Sequence, residues 1–278
     1  MGCASWSLVD LHGSGARVSP QLEAAAISAF HVALDCGLRV FDTARAYTTP
    51  DHAGHSENLI TRALACHPAG DEALVATKAG HERVGPRFPQ DFPVDTSDAT
   101  IRRHVQTSLE LLQLDQLWLL QLHWPPVDAS ITQVLRTFAA LIDEGLVRNV
   151  GICNASLEQV IAARTAVPLA SVQNRFSPFD QSDRATVEFC AEHAITYLAY
   201  SPLGGSGTAE GALGVSYPAA LSRASELGVS IQRLALAWLL AQSPTLIPIC
   251  GASTPRTVRD CAAATEVQLE LGDRSLFH

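Results

Sequence analysis

The sequence predicts an α/β fold, a closed (β/α)8 barrel in which eight parallel strands are each followed by a helix. Short apolar runs alternate with amphipathic helical patterns along the chain, and a parallel connection between strands needs a crossover of this kind. The alternation repeats eight times in 278 residues, a length that suits one barrel domain over residues 1–278. No G-x-G-x-x-G motif follows the first run, so the alternative, a doubly wound open sheet, lacks its phosphate-binding signature.

The predicted strands are short and mostly apolar, and several of them end at a polar residue. Runs of this length between turn signals are typical of buried parallel strands. In chain order they are Gly2–Trp6, Leu38–Phe41, Ala73–Lys78, Leu117–Leu122, Asn149–Cys153, Leu169–Gln173, Ile195–Tyr200 and Leu246–Ile249.

Capping residues mark where the intervening helices begin. Ser19 can cap the first helix, with Pro20 at its first position and Gly37 closing it. Ser156 and Gln159 have the spacing of a capping box. The other predicted helix starts are at Ser56, Ser97, Ser182, Ser230 and Thr254.

Composition excludes several classes of function. The net charge is -9 and no basic run occurs, which argues against a nucleic-acid surface or an anionic membrane as partner. No apolar stretch approaches the length of a membrane span, and the first residues lack the pattern of a signal peptide, so we expect a cytoplasmic protein. The seven cysteines are scattered without a C-x-x-C, which indicates neither a disulfide framework nor a zinc ribbon.

The chain has a single lysine, Lys78, against 18 arginines. Arginine stays protonated at any working pH, whereas a buried lysine can change its pKa, act as a nucleophile or poise a neighbouring acid. Because Lys78 ends a buried strand, its charge is costly unless it is paired. The position therefore predicts a chemical role and a nearby carboxylate.

Polar residues follow the predicted strands at the end where barrel enzymes carry their reactive groups. Tyr47 lies five residues beyond Asp42. A carboxylate beside Lys78 would balance its charge, and the lysine cation would lower a phenol pKa from its usual value of about 10, which makes Tyr47 a usable acid. His123 could then hydrogen-bond the oxygen that receives the proton. The residues at these strand ends are Asp42, Lys78, His123, Asn154, Gln173, Tyr200 and Ser201.

Six stretches resemble the aldo/keto reductase family, in the family's order along nearly the whole chain. They are Phe41-Asp-Thr-Ala-Arg-Ala-Tyr47, Val75-Ala-Thr-Lys78, Leu120-Gln-Leu-His123, Val150-Gly-Ile-Cys-Asn154, Val172-Gln-Asn174 and Ala199-Tyr-Ser-Pro-Leu203. The resemblance implies a (β/α)8 barrel that reduces an aldehyde or ketone, or runs the reverse reaction, with NADP(H). It also implies that Tyr47 is the general acid, that Lys78 lowers its pKa, that Asp42 holds Lys78, and that His123 orients the carbonyl.

The resemblance also implies how the cofactor is held. Asn154 and Gln173 correspond to the side chains that bind the carboxamide, with Cys153 in the place of the usual serine, and Tyr200 corresponds to the ring that stacks on the nicotinamide. Ser201 and Leu203 correspond to the loop at the pyrophosphate. The residues at the adenosine phosphate are Gly251, Ser253, Thr254, Arg256 and Arg259. A helix start at this point favours an anion on physical grounds as well.

Departures from the family pattern leave some choices open. Cys261 replaces an asparagine that commonly contacts adenine, and neither arginine falls on the family's usual position, so NADPH is favoured with NADH as the alternative. The chain begins at the first strand without the family's N-terminal hairpin, so either the barrel floor is closed differently or the start codon is misplaced. Trp6 and Trp124 are expected to line the substrate mouth. The histidines His52 and His55 have irregular spacing, so no metal site is predicted.

Two other functions compete with the reductase. One is a barrel lyase or aldolase in which Lys78 forms a Schiff base, although Asn154, Gln173 and Tyr200 would then have no task. The other is a nicotinamide-binding regulatory subunit with little turnover. The physiological substrate, the direction of the reaction and the oligomeric state are left open.

Overall fold

A computed structural model describes residues 1–3, 19–48, 54–85, 90–126, 129–205 and 211–278. Seven strands form one sheet in sequential order, and all neighbouring pairs are parallel. Because each strand lies beside the next one in sequence, every connection crosses over to the neighbouring strand, as in a barrel. The strands are β1 (Val40–Asp42), β2 (Leu74–Ala79), β3 (Leu117–Leu122), β4 (Val147–Cys153), β5 (Leu169–Arg175), β6 (Thr196–Tyr200) and β7 (Leu246–Ile249).

Residues 1–3 close the gap between the two edge strands. On one side Cys3 N donates to Asp42 O at 2.9 Å, and Asp42 N donates to Met1 O at 2.8 Å. On the other side Gly2 N donates to Cys250 O at 3.0 Å. A Cβ at Gly2 would fall 2.7 Å from Ile249 Cγ2, so glycine permits this close approach. The predicted eight-stranded barrel is confirmed; Trp6, at the end of the first predicted run, lies outside the described residues.

Ten helices are described, and five of them begin at predicted caps, namely Ser19, Ser97, Ser156, Ser230 and Thr254. Ser19 Oγ accepts from Leu22 N, Ser97 Oγ from Thr100 N, and Ser156 and Gln159 form the predicted capping box. The helices are α1 (Pro20–Asp35), α2 (His55–Ala65), α3 (Asp98–Leu112), α4 (Ile131–Asp143), α5 (Leu157–Ala163), α6 (Arg184–Glu192), α7 (Ala212–Ser216), α8 (Pro218–Leu227), α9 (Ile231–Leu240) and α10 (Pro255–Ala262).

The start of α2 differs from the prediction. Gly54, with φ 72°, precedes the helix, and Ser56 lies within its first turn instead of capping it. The hydroxyl of Ser56 accepts a hydrogen bond of 2.7 Å from Thr43 Oγ1 inside the protein. A buried hydroxyl engaged in this way is not free to bind the helix N-terminus.

The core has two parts, and the inner one lies beneath the candidate site. The larger part fills the space between the sheet and the helices, with Phe30, Phe138 and Trp238 fully buried. A smaller apolar cluster consists of Ala76, Leu119, Leu198 and Ile249. Since side chains on a strand alternate between faces, Lys78, Gln121, His123 and Tyr200 share the inward face with this cluster.

All seven cysteines are free thiols. Among the residues that the structure describes, no helix has both the length and the apolar character needed to cross a membrane.

Candidate active site

Asp42 and Lys78, from adjacent strands, form a buried ion pair. Lys78 Nζ donates to Asp42 Oδ2 at 2.6 Å and to Thr43 O at 2.7 Å. Lys78 is 1% exposed, so the carboxylate is the compensation that such a buried charge needs. The structure therefore brings together the lysine and the carboxylate that the sequence predicts as partners.

The second oxygen of Asp42 is held by two amides from other strands. Gln173 Nε2 donates to Asp42 Oδ1 at 2.8 Å and Gln121 Nε2 at 3.2 Å, and Ser171 Oγ donates to Gln121 Oε1 at 3.2 Å. The carboxylate is thus fixed from three strands. The structure places the amide nitrogen of Gln173 on Asp42, and its role toward a cofactor stays a prediction. Gln121 and Ser171 were not predicted as site residues, because both lie within strands and not at strand ends.

Tyr47 presents its hydroxyl to Lys78. Lys78 Nζ donates to Tyr47 Oη at 3.4 Å and lies 4.9 Å from the centre of the tyrosine ring. Because the phenol oxygen accepts from the lysine, its own proton is left for another acceptor. Burial raises the pKa of Tyr47 to about 12, although Lys78 acts to lower it. The sequence predicted a net lowering; in this structure the loss of solvation outweighs the lysine.

Lys78 remains a cation in this environment. Burial acts to lower the pKa of Lys78, but the Asp42 carboxylate and Tyr47 beside it hold that pKa above its ordinary value. A protonated amine has no lone pair with which to attack a carbonyl. The arrangement therefore favours an electrostatic role for Lys78 over nucleophilic catalysis.

His123 is a neutral imidazole beside the tyrosine. Its ring centre lies 5.8 Å from that of Tyr47, with the planes at 81°. Burial, followed by the nearby charge of Lys78 and by His81, holds the pKa of His123 well below its ordinary value. The Nδ1 atom is buried without a hydrogen-bond partner. We name Asp42, Tyr47, Lys78 and His123 the tetrad; all four predicted residues come together.

A second buried ion pair, between Arg45 and Glu57, contacts the residues next to the tetrad. Glu57, which is fully buried, accepts from Arg45 Nη1 at 3.0 Å, from Thr77 Oγ1 at 2.8 Å and from Ser108 Oγ at 2.6 Å. Thr77 directly precedes Lys78, and Arg45 N donates to Lys78 O at 3.3 Å. Glu57 also lies in the first turn of α2. Its contact with Arg45 was missed, because the spacing of the two residues carries no pattern.

Three residues predicted to bind the nicotinamide end of the cofactor, Cys153, Asn154 and Tyr200, lie where β4 and β6 end. Asn154, which has a left-handed φ of 54°, donates from Nδ2 to His123 O at 2.9 Å. Tyr200 Oη donates to Asn154 Oδ1 at 2.9 Å, and the Tyr200 ring is only partly buried. Cys153 is buried, and burial raises the pKa of its thiol, so it stays protonated. These contacts join the predicted cofactor residues to the tetrad.

The loop after β6 makes a tight turn. Ser201 has a left-handed φ of 52°, and Gly204 N donates to Ser201 O at 2.9 Å. A Cβ at Gly205, whose φ is 90°, would fall 2.9 Å from Ser201 Oγ, so this turn needs a glycine. Leu203 packs partly buried against the core. The loop continues into residues 206–210, which lie outside the described residues.

The predicted phosphate-binding residues surround the start of α10. Thr254 caps the helix, accepting from Thr257 N through its hydroxyl. Gly251 and Ser253 are exposed just before it. Arg256 and Arg259 are exposed, and neither forms an ion pair within the described part of the chain. A helix start with two free cations is suited to a phosphate.

Of the two predicted substrate-mouth residues, only Trp124 is described. It is 37% exposed, and its ring centre lies 6.2 Å from that of His81. His81 in turn lies 4.8 Å from the ring of His123. His81 was not predicted, since one histidine in a loop gives no signal. Trp6 lies outside the described residues.

Comparisons with known proteins agree with this geometry. The model of the aldo/keto reductase family matches residues 10–273. Pyridoxine 4-dehydrogenase of Escherichia coli is 29% identical over 271 residues, which cover 95% of this chain and 89% of that protein.

Solved structures show the same fold. Glycerol dehydrogenase from Gluconobacter oxydans gives a TM-score of 0.82 at 26% identity, covering 100% of this chain and 89% of that one. An aldo/keto reductase from Klebsiella pneumoniae, crystallised with NADP and acetate, gives a TM-score of 0.78 at 22% identity, covering 93% of this chain and 86% of that one.

Proposed function

The chain belongs to the aldo/keto reductase family, and from this we propose that it interconverts an aldehyde or ketone and the alcohol, using NADP(H) and Tyr47 as general acid and base. The observation that carries the proposal is the contact of Tyr47 with the Lys78–Asp42 ion pair, beside a neutral His123. We further propose that residues 1–278 form one barrel domain. The cytoplasmic location stays a prediction from the sequence.

The side chains of the tetrad divide the proton chemistry among them. In the direction of reduction, the phenol of Tyr47 donates its proton to the carbonyl oxygen. The cation at Lys78 stabilises the phenolate that remains, and Asp42 keeps that cation in place. The neutral imidazole of His123 hydrogen-bonds the carbonyl oxygen and orients it. In the direction of oxidation the same proton returns to the tyrosine.

The residues around the tetrad fit a nicotinamide dinucleotide. Asn154, Gln173 and Cys153 supply polar side chains for a carboxamide, and Tyr200 offers a partly buried ring. Ser201 and Leu203 would border the pyrophosphate. When it is bound, the cofactor supplies the hydride.

The adenosine end of the cofactor is assigned to the start of α10. Two exposed arginines there, Arg256 and Arg259, pair with no described carboxylate and favour the additional phosphate of NADPH over NADH. The Klebsiella enzyme of the same fold binds NADP. Gly251, Ser253 and Thr254 would contribute backbone and hydroxyl groups.

The competing functions make different use of these residues. A Schiff-base lyase needs Lys78 as a free amine, whereas the lysine donates to Asp42, Thr43 and Tyr47 and stays protonated. A regulatory subunit would bind the nucleotide without turnover. The tetrad is complete in this chain, which favours catalysis over sensing.

The experiment has two stages. NADPH and NADH are first titrated while the quenching of the four tryptophans is followed, and a panel of aldehydes and ketones is then tested for oxidation of the nucleotide that binds. We expect NADPH to bind and at least one carbonyl to be reduced. Binding without any turnover would identify a regulatory subunit. If neither nucleotide binds, the reductase proposal is wrong, and borohydride trapping of substrate on Lys78 tests the lyase.

A further inference from the structure

A buried arginine beside the tetrad has no task in the proposed reaction. Arg83 lies in the loop after β2 and is 7% exposed. Its Nη1 donates to Thr48 O and its Nε donates to Gly85 O, both at 2.9 Å. The guanidinium carbon lies 5.5 Å from the centre of the Phe92 ring. The side chain is therefore held in one position by two carbonyls and an aromatic face.

No carboxylate among the described residues balances the positive charge of Arg83. The described residues contain three buried cations, and two of them are paired, Arg45 with Glu57 and Lys78 with Asp42. Arg83 forms no ion pair with any described carboxylate, and its Nη2 is buried without a hydrogen-bond partner. A buried guanidinium stays charged and is costly without an anion.

Two short paths of contacts connect Arg83 to the carbonyl site. Along the backbone, the carbonyl that it binds belongs to Thr48, the residue after Tyr47. Along the side chains, the ring of Phe92 lies 5.7 Å from His81, which lies 4.8 Å from His123. These contacts link the guanidinium, through intermediate residues, to Tyr47 and His123, the two groups proposed to act on the carbonyl oxygen.

His81, which also contacts Phe92, has a second buried polar atom without a hydrogen-bond partner. Its Nε2 lies 3.1 Å from Phe92 O, which can only accept, so Nε2 carries the proton and Nδ1 has the lone pair. Nδ1 is buried without a partner. Burial lowers the pKa of His81 to about 4, so the ring is neutral and Arg83 alone supplies positive charge. Two buried polar atoms without partners, on residues that both contact Phe92, indicate a ligand that completes their hydrogen bonds.

We propose that Arg83 binds a carboxylate on the carbonyl substrate, so that the enzyme acts on aldehydes or ketones that also carry an acid group. The inference rests on the proposed function and specifies its substrate class. The guanidinium matches a carboxylate in shape and hydrogen bonding. One cation that no described carboxylate pairs, beside a neutral His81, balances the single charge of a carboxylate, whereas a doubly charged phosphate would leave an excess negative charge.

The test compares para-carboxybenzaldehyde with its methyl ester, which differs in the charge. For the wild type we expect kcat/KM to be at least about 10-fold higher for the acid, as charge-assisted hydrogen bonds allow. Arg83→Gln should lower kcat/KM for the acid by about 10- to 100-fold, mainly through KM, and should change the value for the ester by less than about 3-fold. Arg83→Lys, compared with Arg83→Gln, should restore part of the preference for the acid over the ester. The matched control, Arg136→Gln, removes an exposed charge on α4 and should change kcat/KM for neither the acid nor the ester.

Two outcomes would overturn the proposal. If Arg83→Gln lowers kcat/KM equally for both substrates, Arg83 only fixes the loop through Thr48 and Gly85. If the wild type prefers the ester, the site is not built for an acid.

Calorimetry with benzoate and benzamide keeps this inference separate from the proposed function. If the wild type reduces neither aldehyde, the reductase proposal fails, but benzoate should still bind the wild type more tightly than benzamide does, and Arg83→Gln should abolish that difference. Equal binding of the two compounds would contradict the role of Arg83 whether or not turnover occurs.

Discussion

Lys78 Nζ and Asp42 Oδ2 lie 2.6 Å apart at the adjoining ends of β2 and β1, and both side chains of this ion pair are buried. The same ammonium reaches the oxygen of Tyr47 at 3.4 Å. The lysine is therefore placed to stabilise a phenolate and, being protonated, is not placed to act as a nucleophile.

Replacing Lys78 by methionine should nearly abolish turnover while leaving nucleotide binding intact. The substitution removes the cation that stabilises the phenolate, and general acid catalysis contributes about 10²- to 10⁴-fold to such reactions. We expect kcat to fall within that range. Steady-state kinetics and tryptophan quenching check the two parts, with Arg136→Met as a surface control. A variant that keeps most of its kcat would remove Lys78 from the mechanism.

The pH dependence of reduction should show no basic limb near neutrality. Tyr47 must be protonated to act as the acid, and burial raises its pKa to about 12, so the acid form persists well above pH 7. His123 is neutral because its pKa is lowered, so its titration does not change the pH profile of kcat/KM near the usual pKa of a histidine. We expect kcat/KM for reduction to be flat between about pH 6 and pH 10, and the reverse oxidation to rise with pH. A fall in kcat/KM for reduction between pH 7 and 8 would show that another group controls the step, or that the pKa of Tyr47 is much lower.

Glu57→Gln should destabilise the fold strongly. Arg45 would remain as a buried charge without its partner, and removing one member of a buried pair costs about 3–5 kcal/mol. The glutamine can still accept hydrogen bonds from Thr77 and Ser108. The loss in the free energy of unfolding therefore reports the removal of the negative charge alone. Urea denaturation measures the free energy of unfolding. Glu144→Gln breaks the exposed contact with Arg102 and should cost less than about 1 kcal/mol; an equal effect in both variants would contradict the support role of Glu57.

Removing both Arg256 and Arg259 should weaken NADPH binding selectively. A charge-assisted hydrogen bond contributes about 1.5–3 kcal/mol, and contacts of exposed charges contribute less, so for the two exposed arginines together we expect the Kd of NADPH to rise by about 10- to 100-fold in the double alanine variant. The Kd of NADH should change little, because NADH lacks the extra phosphate. The control is the double variant Arg136→Ala, Arg148→Ala, which removes two exposed charges, one of them at the start of β4, the opposite end of the barrel. Equal losses for NADPH and NADH would place these arginines away from that phosphate.

The sequence predicted the parts of the site that depend on topology. The ends of parallel strands converge in a barrel, so Asp42, Lys78 and His123 could be placed together from their positions alone. The contacts that depend on side-chain direction could not be predicted. From inside strands, Gln121 donates to Asp42 and Ser171 donates to Gln121. Ser56 accepts a hydrogen bond from Thr43 instead of capping α2.

The pKa of Tyr47 shows a similar limit. Reasoning from neighbouring charges predicted that Lys78 would lower it, but the balance depends on how completely the phenol is buried. His81 and Arg83 were missed for a related reason, since the loop after β2 folds back onto Phe92 through contacts that no local pattern encodes.

The most direct measurement compares wild type and Tyr47→Phe in a single turnover, with enzyme saturated by NADPH and a carbonyl substrate identified from the panel. The substitution removes only the hydroxyl that donates the proton. The account predicts that NADPH binds both proteins with similar affinity and that the rate of nucleotide oxidation falls by at least about 10²-fold in the variant. A variant that binds NADPH and oxidises it at close to the wild-type rate would contradict the assignment of Tyr47 as the general acid.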